Sequence, residues 1–311
     1  MGYGKEQLRQ MKVISVGNII MGGAGKTPHT IEIVKEYINR GEKVVILSLG
    51  YKGKLGYETN VISDGVNVFH KPPLAADEPY MMALECPKAA VITGKNRALS
   101  LEYAKGNFGS TVAVLDDGFQ YKGLKKNADI LLLDYKRPIS TGFPFPFGYL
   151  REMPSAIGRA DIIVFTRAYS DKIPERVKKY INDKPVFFSQ TVTDKIVING
   201  KALQVADFKG VCAAAFSAVA SNKSFYRSLE KNGINIINFK GFADHGVPSE
   251  RALESFVDKA KKQGAQIFLT TQKDYVKLSD EYKNIFGYLK MEIEISHRNI
   301  FFDKITELTN R

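Results

Sequence analysis

The chain has 311 residues, with 45 Lys and Arg against 33 Asp and Glu, for a formal net charge of +12. Hydrophobic residues at 44% and charged residues at 25% are globular proportions and exclude a disordered or fibrous chain. Two cysteines, Cys86 and Cys212, cannot build a disulfide framework, so a reducing cytosolic setting is expected.

Apolar runs alternate with helical stretches from the start of the chain, the pattern of parallel strands joined by crossover helices. Strands are predicted over 13–16, 44–47, 90–92, 111–115, 130–133 and 162–165, several of them continuously apolar as in strands covered on both faces. Between them, residues 27–40 read as a helix, with Pro28 suited to its first turn and Gly41 to its end. Residues 78–84 and 97–105 are further helix candidates. Near residue 190 the character changes. Residues 191–197 and 201–205, joined through Asn199 and Gly200, read as a hairpin with a type I′ turn. A second α/β pattern follows, with strands predicted over 210–216, 234–239, 266–269 and 288–295. Its helices are predicted over 223–232 and 249–263, with a closing helix over 301–308.

The expected fold class is therefore α/β: a doubly wound, mostly parallel sheet with a second, smaller α/β lobe joined by a β-hairpin linker. The boundaries expected are 1–190 for a nucleotide-binding domain, 191–299 for a substrate or lid domain, and 300–311 for a C-terminal helix packing back on the first. The longest apolar run, 211–220, is about half a spanning length, and no signal segment opens the chain. No transmembrane helix is expected.

Between the first strand and first long helix lies a glycine-rich turn: Gly22, Gly23, Ala24, Gly25, Lys26 and Thr27. Glycines let backbone N–H groups turn toward an anion, and the following helix start adds unsatisfied amides and its positive dipole end. Lys26 is placed to reach the β- and γ-phosphates of ATP, and the Thr27 hydroxyl to ligate Mg²⁺. The usual P-loop pattern has a glycine where this chain has Ile20, and the partition and nitrogenase-iron ATPases have a signature lysine where it has Met21.

The strand predicted at 111–115 ends in Asp116, Asp117 and Gly118, where a doubly wound sheet collects ligands. A carboxylate there can hold the Mg²⁺ that neutralises charge in phosphoryl transfer; the alternative is a solvated turn. Asp77 precedes a helix, which suits an N-cap or the base that deprotonates an accepting hydroxyl. His245 lies in a polar turn of the second lobe and reads, on spacing alone, as a surface or structural histidine. The excess of lysine and arginine is scattered, without zinc spacing or a recognition helix, so no nucleic-acid partner is expected.

Taken in order, the glycine turn, Asp77-Glu-Pro-Tyr80, Asp116-Asp-Gly-Phe-Gln120, Gly148-Tyr-Leu-Arg-Glu152, Asp244-His245 and Thr270-Thr-Gln-Lys-Asp-Tyr-Val-Lys-Leu278 resemble the tetraacyldisaccharide 4′-kinase family. The resemblance implies transfer of the ATP γ-phosphate to the 4′-hydroxyl of an acylated glucosamine disaccharide 1-phosphate at the cytoplasmic face of the inner membrane. It also implies Lys26 and Thr27 on phosphate and Mg²⁺, Asp116 and Asp117 at the metal and phosphate site, and Arg97, Arg151 and Glu152 lining the cleft. Asp77 becomes the implied base, with His245 orienting it from the other lobe so that closure assembles the site.

This chain departs from the family pattern in places. Little precedes its first strand, so the family's N-terminal apolar anchor is not expected, and contact with an anionic inner-membrane surface falls to basic and apolar patches. Phe143, Phe145 and Phe147, alternating with prolines, suit contact with acyl chains or a rigid loop packed on the core. Ser48, Leu49, Gly50 and Tyr51 stand where the family carries Ser-Arg-Gly-Tyr. A monomer is expected. The competing function is a P-loop ATPase switch that regulates a protein partner.

Overall fold

The computed structural model describes residues 11–244, 246 and 248–311. Its first part runs β1 (Lys12–Asn18), α1 (Lys26–Asn39), β2 (Val44–Ser48), β3 (Asn60–Asp64), α2 (Asp77–Glu85), β4 (Ala90–Thr93) and α3 (Arg97–Phe108). It continues with β5 (Val112–Asp116), β6 (Ala128–Asp134), β7 (Ile162–Thr166), α4 (Glu175–Ile181) and β8 (Val186–Ile198). Then come β9 (Lys201–Gln204), β10 (Cys212–Ser217), α5 (Asn222–Lys231), β11 (Asn235–Gly241), α6 (Glu250–Lys262) and β12 (Ile267–Thr271). Last are α7 (Gln272–Tyr275), α8 (Asp280–Ile285), β13 (Phe286–Ile295) and α9 (Arg298–Thr309). The chain divides into two compact units, Met1–Thr191 with Ile293–Arg311, and Val192–Glu292.

In the first unit the strands stand in the order β3, β4, β2, β5, β1, β6, β7 and the start of β8. All pair in parallel except the edge strand β3, which runs antiparallel to β4. The apolar runs explain the burial: β2, β4, β5 and β7 are buried at every residue, as parallel strands covered on both faces must be. Val45, Leu47, Ile92 and Leu115 pack against Ala104 and Leu101 of α3. Ile163, Phe165 and Leu133 pack with Ile157, Val177 and Ile181. α9 joins this unit through Phe301, whose ring lies 5.2 Å from that of Phe187, and through Arg298 on Glu32 and Glu36.

Helix ends follow local chemistry. α1 stops at Arg40 because Gly41 takes φ +82°; Gly41 N–H donates to Ile38 O and Glu42 N–H to Tyr37 O, satisfying two carbonyls of the last turn. The Asn96 side chain caps α3 by accepting from the amides of Ala98 and Leu99.

The second unit has the parallel order β11, β10, β12, β13, with α5 and α6 as its longer helices. Its centre is aromatic: Phe286 meets Phe216 at 5.0 Å and Phe268 at 5.7 Å, both edge to face. The second half of β8 forms the hairpin with β9, and Asn199 and Gly200 carry the two positive φ values, +49° and +75°, of a type I′ turn. Among the described residues no helix is long and apolar enough to cross a membrane.

Candidate active site

β1 ends at Asn18, and the chain turns through residues 19–25 before α1 begins at Lys26. Gly22 at φ +112° and Gly25 at φ +79° occupy backbone regions that side chains resist, so the turn depends on glycine at both. Asn18 is buried; its amide donates to Ile20 O (2.8 Å) and Gly22 O (3.5 Å), while its Oδ1 accepts from Lys26 Nζ (3.5 Å). Gln120 Nε2 donates to Asn18 O over 2.9 Å. From the end of β7, Arg167 donates to Gly23 O over 2.8 Å while paired with Asp134. Two bonds from a following loop complete the frame, Met21 N to Tyr149 O and Arg151 N to Ile19 O, both 2.7 Å.

The imidazole of His29, one turn into α1, sits wholly buried between this loop and β8. Its Nδ1 lies 2.7 Å from Gly25 O and its Nε2 2.9 Å from Ser189 Oγ. A carbonyl only accepts, so Nδ1 carries the proton and Nε2 accepts from the serine hydroxyl. Burial lowers its pKa to about 4, which keeps the ring neutral.

β5 lies beside β1 in parallel register, with Asp116 opposite Val16. Asp116 is buried, accepting from Thr30 Oγ1 (3.2 Å) and Ser48 Oγ (3.4 Å). Burial first, then the charges of Glu78 and Asp117, raise its pKa to about 6 against the pull of Lys26. Asp117 takes φ +53°, and its carboxylate accepts from Arg151 Nη1 at 2.8 and 2.9 Å with Lys26 Nζ 3.7 Å away. Arg97 is buried behind this turn: Nη2 donates to Asp116 O (3.2 Å), and Nε has no hydrogen-bond partner. Burial lowers its pKa, while Asp116 and Asp117 oppose the loss of charge.

Asp77 is the first residue of α2, and the cap position belongs to Ala76 without a side-chain bond; Asp77 is therefore not an N-cap. The charge of Glu78, the next residue of α2, contributes to the raised pKa of Asp116. Thr27 is the buried second residue of α1. Glu152 accepts two bonds from Arg159, at 2.7 and 2.8 Å, and one from Gln120 at 3.1 Å; Arg159 is the main reason its pKa is lowered. His245 lies outside the described residues.

Hydrogen bonds and ion pairs thus join Lys26, Asn18, Asp117 and Arg151 into one cluster beside the buried Asp116 and Arg97. Sequence reasoning missed Asn18, His29 and Arg167 as parts of the frame. An asparagine closing an apolar strand was the one visible signal; the partners of His29 and Arg167 are far away in sequence. Among the described residues no group of three or more His, Cys, Asp and Glu could hold a metal by itself. Mg²⁺ typically takes one or two protein oxygens and completes its shell with phosphate and water, and the buried carboxylate of Asp116 can supply one of them.

In the second unit, Asp274 is buried after β12 and accepts from Ala218 N (2.8 Å) and Thr271 Oγ1 (2.7 Å). Lys277 lies 2.8 Å from its other oxygen and donates to Gly246 O at 3.2 Å. The 270–278 motif thereby anchors the turns after β10 and β11.

Residues 2–310 match the family described as tetraacyldisaccharide-1-P 4′-kinase. The tetraacyldisaccharide 4′-kinase of Desulfotalea psychrophila is 38% identical over 275 residues, covering 86% of this chain and 78% of that protein. The enzyme of the same name from Geobacter sulfurreducens is 34% identical over 267 residues, covering 86% and 74%. A crystal structure of the "apo" form of LpxK from Aquifex aeolicus in complex with ATP has a TM-score of 0.78 and 28% identity, covering 96% of this chain and 89% of that one.

Proposed function

The chain belongs to the tetraacyldisaccharide-1-P 4′-kinase family, an ATP-dependent kinase of lipid A biosynthesis, and from that premise we propose the residues that carry its reaction. The amides of the turn from Gly22 to Gly25 and the start of α1 receive the ATP phosphates, with Lys26 reaching the β- and γ-phosphates. The buried pair of β5 and α1, Asp116 and Thr27, would hold Mg²⁺, which when bound neutralises charge developing on the phosphates. Arg97 and Arg151 supply further positive charge, and Asp117 positions Lys26 and Arg151. Glu152 keeps Arg159 and Gln120 in place beneath the turn and serves the nucleotide through them.

Asp77 is the base. It takes the proton of the 4′-hydroxyl as that oxygen bonds to the γ-phosphorus, and the bond to the β-phosphate oxygen breaks to release ADP. His245 is the second catalytic candidate, on sequence grounds alone. The lipid substrate is met at an anionic membrane surface, consistent with the net charge of +12. The observation that carries this reading is the bonded cluster of Lys26, Asn18, Asp117 and Arg151 beside a buried Asp116. Incubation with γ-labelled ATP, Mg²⁺ and detergent-dispersed tetraacyldisaccharide 1-phosphate tests it. Label should appear on the 4′-oxygen; ATP binding without labelled lipid would refute it. Hydrolysis stimulated by a protein partner, with no lipid labelled, would favour the switch.

A further inference from the structure

Single exposed apolar side chains are ordinary, but several on one rigid loop need a reason. Phe143 is 59% exposed, Phe145 68%, Phe147 86% and Tyr149 64%. The loop does not display them through looseness. Phe145 N–H donates to Leu150 O, Leu150 N–H to Phe143 O and Gly148 N–H to Pro144 O, while Leu150 itself is buried. A Cβ at Gly148 would come within 2.3 Å of Phe143 O, so the tight return of the chain needs glycine there. The fold therefore presents these rings outward by construction.

Two further observations say what they meet. The loop is bonded to the phosphate turn through Met21 N–Tyr149 O and Arg151 N–Ile19 O, and Met21 is itself exposed. Exposed Lys136 and Arg137 before the aromatics add positive charge, while Arg151 after them is held by Asp117 at the phosphate turn. The one carboxylate within 136–159, Glu152, is paired with Arg159. Aromatic rings with a basic fringe match the boundary between acyl chains and anionic headgroups.

We propose that the 143–149 loop docks the first unit on an anionic lipid bilayer, with the phenylalanines entering the acyl boundary. Docking then holds the phosphate turn at a set height above the surface from which the lipid comes. This rests on the lipid-kinase reading above.

Vesicle co-sedimentation tests it, using phosphatidylcholine with phosphatidylglycerol against phosphatidylcholine alone. The wild type should bind the anionic vesicles. A variant carrying Phe143→Ser, Phe145→Ser and Phe147→Ser should lose about tenfold or more of that binding, and Lys136→Glu with Arg137→Glu should weaken it chiefly at low salt. The chain contains no tryptophan, so Phe145→Trp gives a single reporter. Its emission should shift to the blue on anionic vesicles and be quenched by brominated acyl chains.

Undiminished vesicle binding by the triple variant, or an indole that stays in water, would overturn the proposal. So would a triple variant that loses self-association and keeps vesicle binding, which would assign the loop to a second copy of the chain. Label transfer to detergent-dispersed lipid, measured on the same proteins, separates the two readings. Transfer without vesicle docking refutes the loop alone, and ATP binding without transfer refutes the kinase.

Discussion

His29 and Gly25 are joined by an imidazole Nδ1–H that donates over 2.7 Å to the carbonyl immediately before α1, in a space closed to water. The last glycine of the phosphate turn is thus tied through one ring to Ser189 of β8. His29→Ala removes the partner of the Ser189 hydroxyl and leaves Gly25 O with only the residue-29 amide, beside a void. It should destabilise the chain by about 2–4 kcal/mol and weaken ATP binding by about tenfold, read by denaturation and by titration with a fluorescent ATP analogue. The ring also has a pH signature. Its folded pKa, about 4, lies below the unfolded value of 6.5, so its stabilisation is present above 6.5 and is lost as pH falls toward 4. The wild type should therefore lose more stability than His29→Gln between pH 7 and pH 4; equal slopes would contradict the assignment.

Asp116 trades stability for function. Its folded pKa of about 6 lies above the ordinary 3.8, so its contribution is full below 3.8 and is lost as pH rises through 6. Asp116→Asn should raise stability at pH 7.5 by about 1–3 kcal/mol while abolishing Mg²⁺-dependent transfer. In the wild type, kcat/KM should fall below about pH 6, and added Mg²⁺ should move that fall to lower pH.

Arg167 reaches the phosphate turn from outside, through Gly23 O. Arg167→Ala should raise KM for ATP by about three- to tenfold, with a smaller change in kcat and stability altered by less than about 1 kcal/mol. Steady-state kinetics at varied ATP give the split.

Asp274 in the second unit is a positioning residue. Asp274→Ala removes the carboxylate that pairs with the buried Lys277 ammonium and accepts from the Ala218 amide, which should cost about 3–5 kcal/mol in that unit. Hydrogen exchange should show early loss of protection around 217–219; protection equal to the wild type would refute the role.

The parallel strands were legible because burial on both faces demands uninterrupted apolar runs such as Val112 to Leu115 and Ile130 to Leu133. β3 escaped for the converse reason: an edge strand of Asn60 to Asp64, buried only at Ile62 and Ser63, carries no such run. α4 spans seven residues after Pro174, too few turns for a periodicity to register. The phosphate turn was readable because glycine, lysine and threonine must follow one another locally. What holds it was not, since Ser189 and Arg167 reach it from β8 and the end of β7, and no local pattern encodes such partners.

The assignment of Asp77 at the head of α2 as the base is tested most directly by Asp77→Ala, with ATP affinity and turnover on detergent-dispersed lipid measured on the same preparation. Turnover should fall by about 100-fold or more with ATP affinity unchanged. A parallel loss of ATP affinity, or turnover that survives the substitution, would contradict the account.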